Sequence, residues 1–354
     1  MSRSHIGRRA YLPAAALAAA LLASLVGRGG TDLRVIAGGL IQTDAAALAA
    51  SPDARELSSA WKLAATRLPG TLVAVVDTGV APTSDLAGRV DPGQSFVGGD
   101  ATVDENGHGT AVAGILAGLE GVCRTCRILP LRVSAGAGGT ASPENIAAAV
   151  DAAVGRGASV LNLSMVSRSP TEVERAAFAR AVAAGVVVVA AAGNAASSTE
   201  SYPSAYPGVL SVGATGDDGS IAGFSNRGPW VSVLAPGCGR SHAPDGGEVL
   251  FCGTSAAAPY VAGVAAVLRE TVPSATATDV IGAIRHSSHP AEGAADGIID
   301  PAAALVAIGG VVPVPAGAVT VRPAKSAVPK RKKASRAGVT RKTLFLAQSV
   351  MGPR

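Results

Sequence analysis

The residue best placed to do chemistry in this chain is a serine at the head of an apolar run. In Gly253-Thr-Ser-Ala-Ala-Ala-Pro259, continued through Tyr260 to Leu268, Ser255 opens a stretch that is small and apolar on every side, the pattern of a helix enclosed by protein. At such a helix start, free backbone N–H groups and the positive dipole end favour negative charge, as on an alkoxide or a tetrahedral oxyanion. A serine there is also an ordinary cap, so its chemistry depends on partners. Asp77, His108 and Asn194 are the candidates. An imidazole can take the serine proton, a carboxylate can orient and stabilise the imidazole, and a carboxamide can donate to an oxyanion.

The elements that must position these side chains follow from pattern. Thr71 to Val76 is a continuous apolar, β-branched run, the signature of a strand buried in a parallel sheet. It delivers Asp77 at its C-terminal end, where ligands gather in open parallel sheets. His108 stands between two glycines in Asn106-Gly-His-Gly-Thr110, at the start of a second small-residue helix. Val186 to Ala192 reads as another buried strand and ends in Gly193-Asn194. Further along, strands alternate with helices, as βαβ units do. Ser142-Pro-Glu-Asn and Ser169-Pro-Thr-Glu each predict a helix with a capping serine and proline in its first position. Pro259, near the start of the Ser255 helix, is read as tolerable there.

The order Asp77, His108, Asn194, Ser255, carried by Val-Val-Asp-Thr-Gly-Val, Asn-Gly-His-Gly-Thr, Ala-Ala-Gly-Asn and Gly-Thr-Ser-Ala-Ala-Ala-Pro, resembles the subtilisin-like serine proteases, the subtilases. The resemblance runs from about Asp53 to about Ile308, and Phe224 to Val231 looks most like the actinobacterial branch that includes the mycosins. It implies an α/β fold of three layers, with a mainly parallel central sheet flanked by helices. It also implies a secreted endopeptidase working through an Asp-His-Ser triad and an acyl-enzyme, with Asn194 and the Ser255 N–H forming the oxyanion hole. An extended polypeptide substrate would lie along Ser164, Met165 and Val166 and against Ala191 and Gly193. Ser201 would be the pocket floor, beside a cis Tyr202-Pro203 bond. Where the family usually carries glycine this chain has Val166, which implies an altered or narrowed groove. No cofactor or catalytic metal is required by the resemblance, and structural calcium is compatible with it, although no acidic loop marks a site.

An α/β-hydrolase arrangement is excluded by the order of the residues and by the lack of a complete Gly-x-Ser-x-Gly elbow. A second reading is a catalytically silent subtilase-fold module that binds peptides or partners, since fold alone does not establish activity. The full set of candidate residues favours the enzyme. Val166 and the missing folded prodomain keep the second reading open.

Outside the core, residues 1–30 resemble a signal peptide or N-terminal anchor: Arg3, Arg8 and Arg9 precede the apolar run Ala14 to Val26. Residues 31–50 read as a short linker or vestigial propeptide, and 51–308 as the catalytic domain, opened by a helix over Ser51 to Trp61. Residues 309–354 read as a proline-interrupted linker and a basic tail. From Arg322 to Arg354 there are ten basic residues and no acid; setting these and the four arginines before Gly29 aside leaves sixteen basic residues against twenty-five acids. The basic balance is therefore a property of the ends. It argues against a nucleic-acid partner for the core and for an anionic cell-envelope or membrane surface as the partner of the tail. The expected location is secreted or envelope-associated. Four cysteines allow three pairings. Those closest in sequence, Cys123–Cys126 and Cys238–Cys252, are the expected pairs, in preference to a zinc site.

Overall fold

The computed structural model describes residues 33–36, 39–42, 70–136 and 139–309. The expected signal segment, the helix over 51–61 and the basic tail lie outside the described residues.

Seven strands form the central sheet in the order β4-β5-β3-β6-β7-β8-β9. They are β3 (Leu72–Asp77), β4 (Gln94–Ser95), β5 (Arg127–Arg132), β6 (Val160–Leu163), β7 (Val187–Ala191), β8 (Leu210–Thr215) and β9 (Val233–Pro236). All neighbouring pairs are parallel. From β3 the chain runs to β4 at one edge, returns inward to β5 beside β3, and then crosses to the other side for β6. The strand order thus reverses at β3, and Asp77 is its last residue, at the point where α/β sheets open a crevice.

Alternation along the strands divides the core. On β3, Val73 and Val75 face the cluster formed with α1 (His108–Ala117) and α4 (Thr254–Thr271), while Ala74 and Val76 face the cluster formed with α2 (Pro143–Gly155) and α3 (Glu172–Ala183). On β7 the same split separates Val187 and Val189 from Val188 and Ala190. Strands buried on both faces read as unbroken apolar runs, which is why these were visible in the sequence. Two further helices, α5 (Ala277–His286) and α6 (Pro301–Ala307), complete the described domain.

A second sheet lies before the Ser255 helix. Strands β10 (Cys238–His242) and β11 (Glu248–Cys252) form an antiparallel hairpin in which Cys238 faces Cys252, and the two are joined by a disulfide. Within residues 31–50, expected as linker or vestigial propeptide, lie β1 (Leu33–Ile36) and β2 (Gly39–Gln42), and β2 pairs antiparallel with β11. Cys123 and Cys126 form the other disulfide. One helix start departs from the sequence reading. Ser142 caps α2 as expected, accepting from Asn145 N–H, but α3 begins beyond Ser169-Pro170, with Thr171 as its cap and Glu174 N–H as the donor.

Candidate active site

Asp77, His108 and Ser255 are all buried, at 1%, 2% and 3% exposure. Asp77 Oδ1 accepts from His108 Nδ1 at 2.7 Å and from Thr78 N–H at 2.8 Å. Because the carboxylate can only accept, the neutral imidazole carries its proton on Nδ1 and a lone pair on Nε2. His108 Nε2 has no hydrogen-bond partner. Burial pushes the His108 pKa down, but the Asp77 carboxylate, through its charge and its hydrogen bond, and then the Asp104 charge outweigh it and hold it above the ordinary 6.5.

What fixes His108 in this position is Asp104, a residue the sequence reading missed. Its Oδ1 accepts from Thr78 Oγ1 and Gly107 N–H, both at 2.8 Å, and its Oδ2 from Thr110 N–H at 2.8 Å and Thr110 Oγ1 at 2.6 Å. Thr78 Oγ1 also accepts from Gly109 N–H at 3.0 Å. One buried carboxylate therefore ties the end of β3, carrying Asp77, to the start of α1, carrying His108. An acid a few residues before a helix-starting histidine, with threonine after it, is the available signal, since carboxylates neutralise the free N–H groups of a first turn. Each Asp104 oxygen is occupied by these donors, which speaks against the carboxylate as a cation ligand.

Ser255 is the second residue of α4, and α4 packs against α1. The His108 ring meets Phe251, at the end of β11, edge-on with centroids 5.3 Å apart. Ser255 and Ser164 are joined reciprocally: Ser255 Oγ donates to the Ser164 carbonyl and Ser164 Oγ to the Ser255 carbonyl, both at 3.1 Å. Pro259 explains the second bond. It lies one turn into the helix rather than at its first position, and lacking an N–H it cannot donate to the Ser255 carbonyl four residues back. The Ser164 hydroxyl does so instead.

Thr254 positions Asn194. The Asn194 Oδ1 accepts from Thr254 N–H and Thr254 Oγ1, both at 2.9 Å, while Thr254 Oγ1 accepts from Gly193 N–H at 3.0 Å. With its oxygen held in this way, the carboxamide has its NH2 as the donor end. The remaining expected residues fall around the same place. Ala191 ends β7, Gly193 has φ of +104°, and the Ser201 hydroxyl donates to the Ala192 carbonyl at 2.6 Å. Met165 packs partly buried against the α2–α3 face, Val166 is half exposed, and Tyr202-Pro203 is cis. Asn226, unread in the sequence, secures the loop after β7: its Nδ2 donates to the Ala192 carbonyl and its Oδ1 accepts from Ala195 and Ser197 N–H. Among the described residues, Cys123, Cys126 and Glu270 are grouped closely enough to hold a metal, but the two sulfurs are bonded to each other.

A parallel α/β sheet with an Asp–His pair and a helix-borne serine at its C-terminal edge defines the class of serine hydrolases built on such sheets. The chain belongs to the subtilase family of peptidases, whose profile matches residues 69–323. It is 38% identical over 213 residues to alkaline elastase YaB of Bacillus sp. (strain YaB), covering 58% of this chain and 56% of that protein. It is 39% identical over 213 residues to subtilisin Savinase of Lederbergia lenta, covering 58% and 78%. The chain thus spans little more than half the length of the first of these relatives. Among solved structures it resembles that of MycP1 with the N-terminal propeptide removed, at 30% identity and a TM-score of 0.61, over 73% of this chain and 96% of that one. The likeness agrees with the mycosin-like character of Phe224 to Val231. No helix among the described residues is long and apolar enough to cross a membrane.

Proposed function

We propose that the chain is a secreted serine endopeptidase in which His108 activates Ser255. The observation that carries this reading is the His108 imidazole itself. One ring nitrogen is fixed by Asp77, and the other is buried with no partner, although leaving a buried polar atom unpaired costs about 1–3 kcal/mol. Set beside a serine at a helix start, this lone pair is positioned to take a proton. In the resting arrangement the Ser255 hydroxyl rests on the Ser164 carbonyl; the mechanism requires it to turn from there to His108 Nε2, and apo sites often tighten only when substrate binds.

Attack of Ser255 Oγ on the scissile carbonyl carbon then transfers its proton to Nε2. Asp77 stabilises the imidazolium. The oxyanion receives the Asn194 NH2 and the Ser255 N–H at the head of α4. As the C–N bond breaks, Nε2 returns the proton to the leaving amine, and water hydrolyses the Ser255 ester by the same route in reverse. The test is labelling of the purified exported protein with a fluorophosphonate and mass mapping of the adduct. The expected adduct is on Ser255, and His108→Ala abolishes it. Undiminished labelling of the His108 variant rejects the assignment.

The terminal segments extend the proposal. The Arg-flanked apolar segment before Gly29 directs export, and the basic stretch from Arg322 holds the enzyme to an anionic envelope polymer or membrane, each basic residue near anionic lipid contributing about 1 kcal/mol. The full chain is expected to sediment with anionic vesicles at low salt and not at high salt. A chain ending at Gly310 is expected to stay in the supernatant, and co-sedimentation of both chains removes the tail from this role.

A further inference from the structure

We infer that Val166 closes the slot beside Ser255 to all but the smallest side chains, so that the peptide bond cleaved is one whose acyl side is glycine, alanine or serine. The inference rests on the proposed acyl transfer at Ser255. Strands β6 and β7 pair as far as Leu163 opposite Ala190, and beyond that pair the chain continues as two walls, 164–166 and 191–193. Ser255 is hydrogen-bonded in both directions to Ser164, and Asn194 follows Gly193 directly. A carbonyl held between Ser255 and the Asn194 amide therefore places the side chain on its own Cα between these walls.

The far end of this slot is already closed. Ser167 and Tyr202 exchange backbone hydrogen bonds at 2.7 and 2.9 Å, and the Ser201 hydroxyl is tied to the Ala192 carbonyl at 2.6 Å. The width is set by Val166, which is 50% exposed. A Cβ built on Gly193 would lie 2.7 Å from Asn226 Nδ2 and 3.5 Å from Val166 Cγ1. The first distance is a clash and the second is van der Waals contact, so beside the Gly193 Cα, between Asn226 and Val166, there is no room even for a methyl unless a side chain shifts. An aromatic or long aliphatic side chain needs contact distance on both of its faces, and here the two walls leave room for one. Val166 cannot be displaced into the core, where close packing resists insertion. Discrimination by the size of an apolar pocket runs at about 10–200-fold for a single methylene; exclusion of a whole phenyl ring is expected at the upper end of that range or beyond.

The experiment uses the full chain and two short peptidyl diphenyl phosphonates that differ only in the terminal residue analogue, alanine or phenylalanine. The reading is the second-order rate of the Ser255 adduct by mass spectrometry, beside a small alkyl fluorophosphonate. The expected result is a preference for the alanine reagent of about 100-fold or more. In Val166→Gly the phenylalanine-to-alanine ratio rises at least about tenfold, Val166→Ala moves it in the same direction by less, and Val166→Thr, of the same shape, retains the parent ratio. Equal rates in the parent, or a ratio unmoved in both the Gly and Ala variants, overturn the inference. So does a Ser255 that the small reagent labels and the alanine reagent does not. A Ser255 that none of the three reagents labels instead rejects the proposed function, which separates the two failures.

Discussion

Helices α1 and α4 cover one face of the central sheet and α2 and α3 the other, and the two pairs treat solvent differently. Every residue of α1 is buried, and in α4 all but Arg269 and Thr271. On α2 the buried set is Ile146, Ala147, Ala149, Val150 and Ala153, the one-sided spacing of an amphipathic helix, and α3 buries Ala177, Phe178 and Ala181 behind a charged outer face. The first pair carries His108 and Ser255; the second carries none of the candidate site residues. Enclosure fixes side chains by contact from all directions, at the expense of tolerance for any added atom. The exposed pair gains its definition from caps and surface pairs, such as Arg180 with Asp151.

The comparison can be broken most forcefully at its chemical centre. Asn194→Ala, which removes a donor held in place by Thr254, is expected to lower turnover by about two to three orders of magnitude with a smaller effect on substrate affinity, because the oxyanion exists only near the transition state. Steady-state kinetics on a peptide substrate decide this, and equal turnover removes Asn194 from the mechanism. A contrast of sign comes next. In α4, a Cβ at Gly263 would sit 2.7 Å from Val122 Cβ and 3.3 Å from the Leu116 carbonyl oxygen, whereas at Gly155 on α2 it meets nothing within 4 Å. Gly263→Ala is expected to destabilise by about 1–3 kcal/mol through overpacking. Gly155→Ala is expected to stabilise by up to about 1 kcal/mol through helix propensity. Denaturant midpoints moving in the same direction for both would contradict the contrast.

Ser142→Ala, the loss of a cap on the exposed pair, should cost about 1 kcal/mol and leave Ser255 labelling unchanged. The smallest effect is a displacement along the pH axis. His108 must be neutral to accept a proton, and its pKa is raised by Asp77 and Asp104 against the lowering effect of burial, so activity falls as pH drops through a value above 6.5. A pH–rate profile with its acid limb at or below the ordinary histidine value argues against that electrostatic balance.

The sequence showed most clearly the features that rest on local pattern. The runs ending at Asp77 and Asn194 are apolar because both sheet faces are covered, and that is a property of composition. The all-round apolar character of the Ser255 helix was visible for the same reason. Features that depend on distant partners were hidden. Asp104 matters because Thr78 and Thr110 converge on it, and only its place shortly before the helix-starting His108, with Thr110 after it, hints at that role. Pro259 read as a tolerated residue, yet its missing N–H leaves the Ser255 carbonyl to the hydroxyl of Ser164, just beyond the end of β6. The start of α3 was misplaced because Ser169-Pro170 and Thr171 offer two competing caps, and tertiary contact selects Thr171, whose N–H reaches Tyr206 Oη at 2.9 Å.

The pairing of β2 with β11 has a consequence for the order of events in folding. Leu40 lies opposite Cys252, and α4 starts two residues further on. Partners so far apart in the chain meet only after most of the intervening domain has condensed, because the entropy of closing so long a loop must be met before the contact returns anything. The earliest part of the domain to leave a ribosome is thus among the last to settle, and until it does the outer edge of β11 is an open template for any extended segment, including that of a second copy. Residues 39–42 act as the edge guard of the strand that leads into the nucleophile, and a chain shortened past them leaves the ribosome with that edge exposed for good.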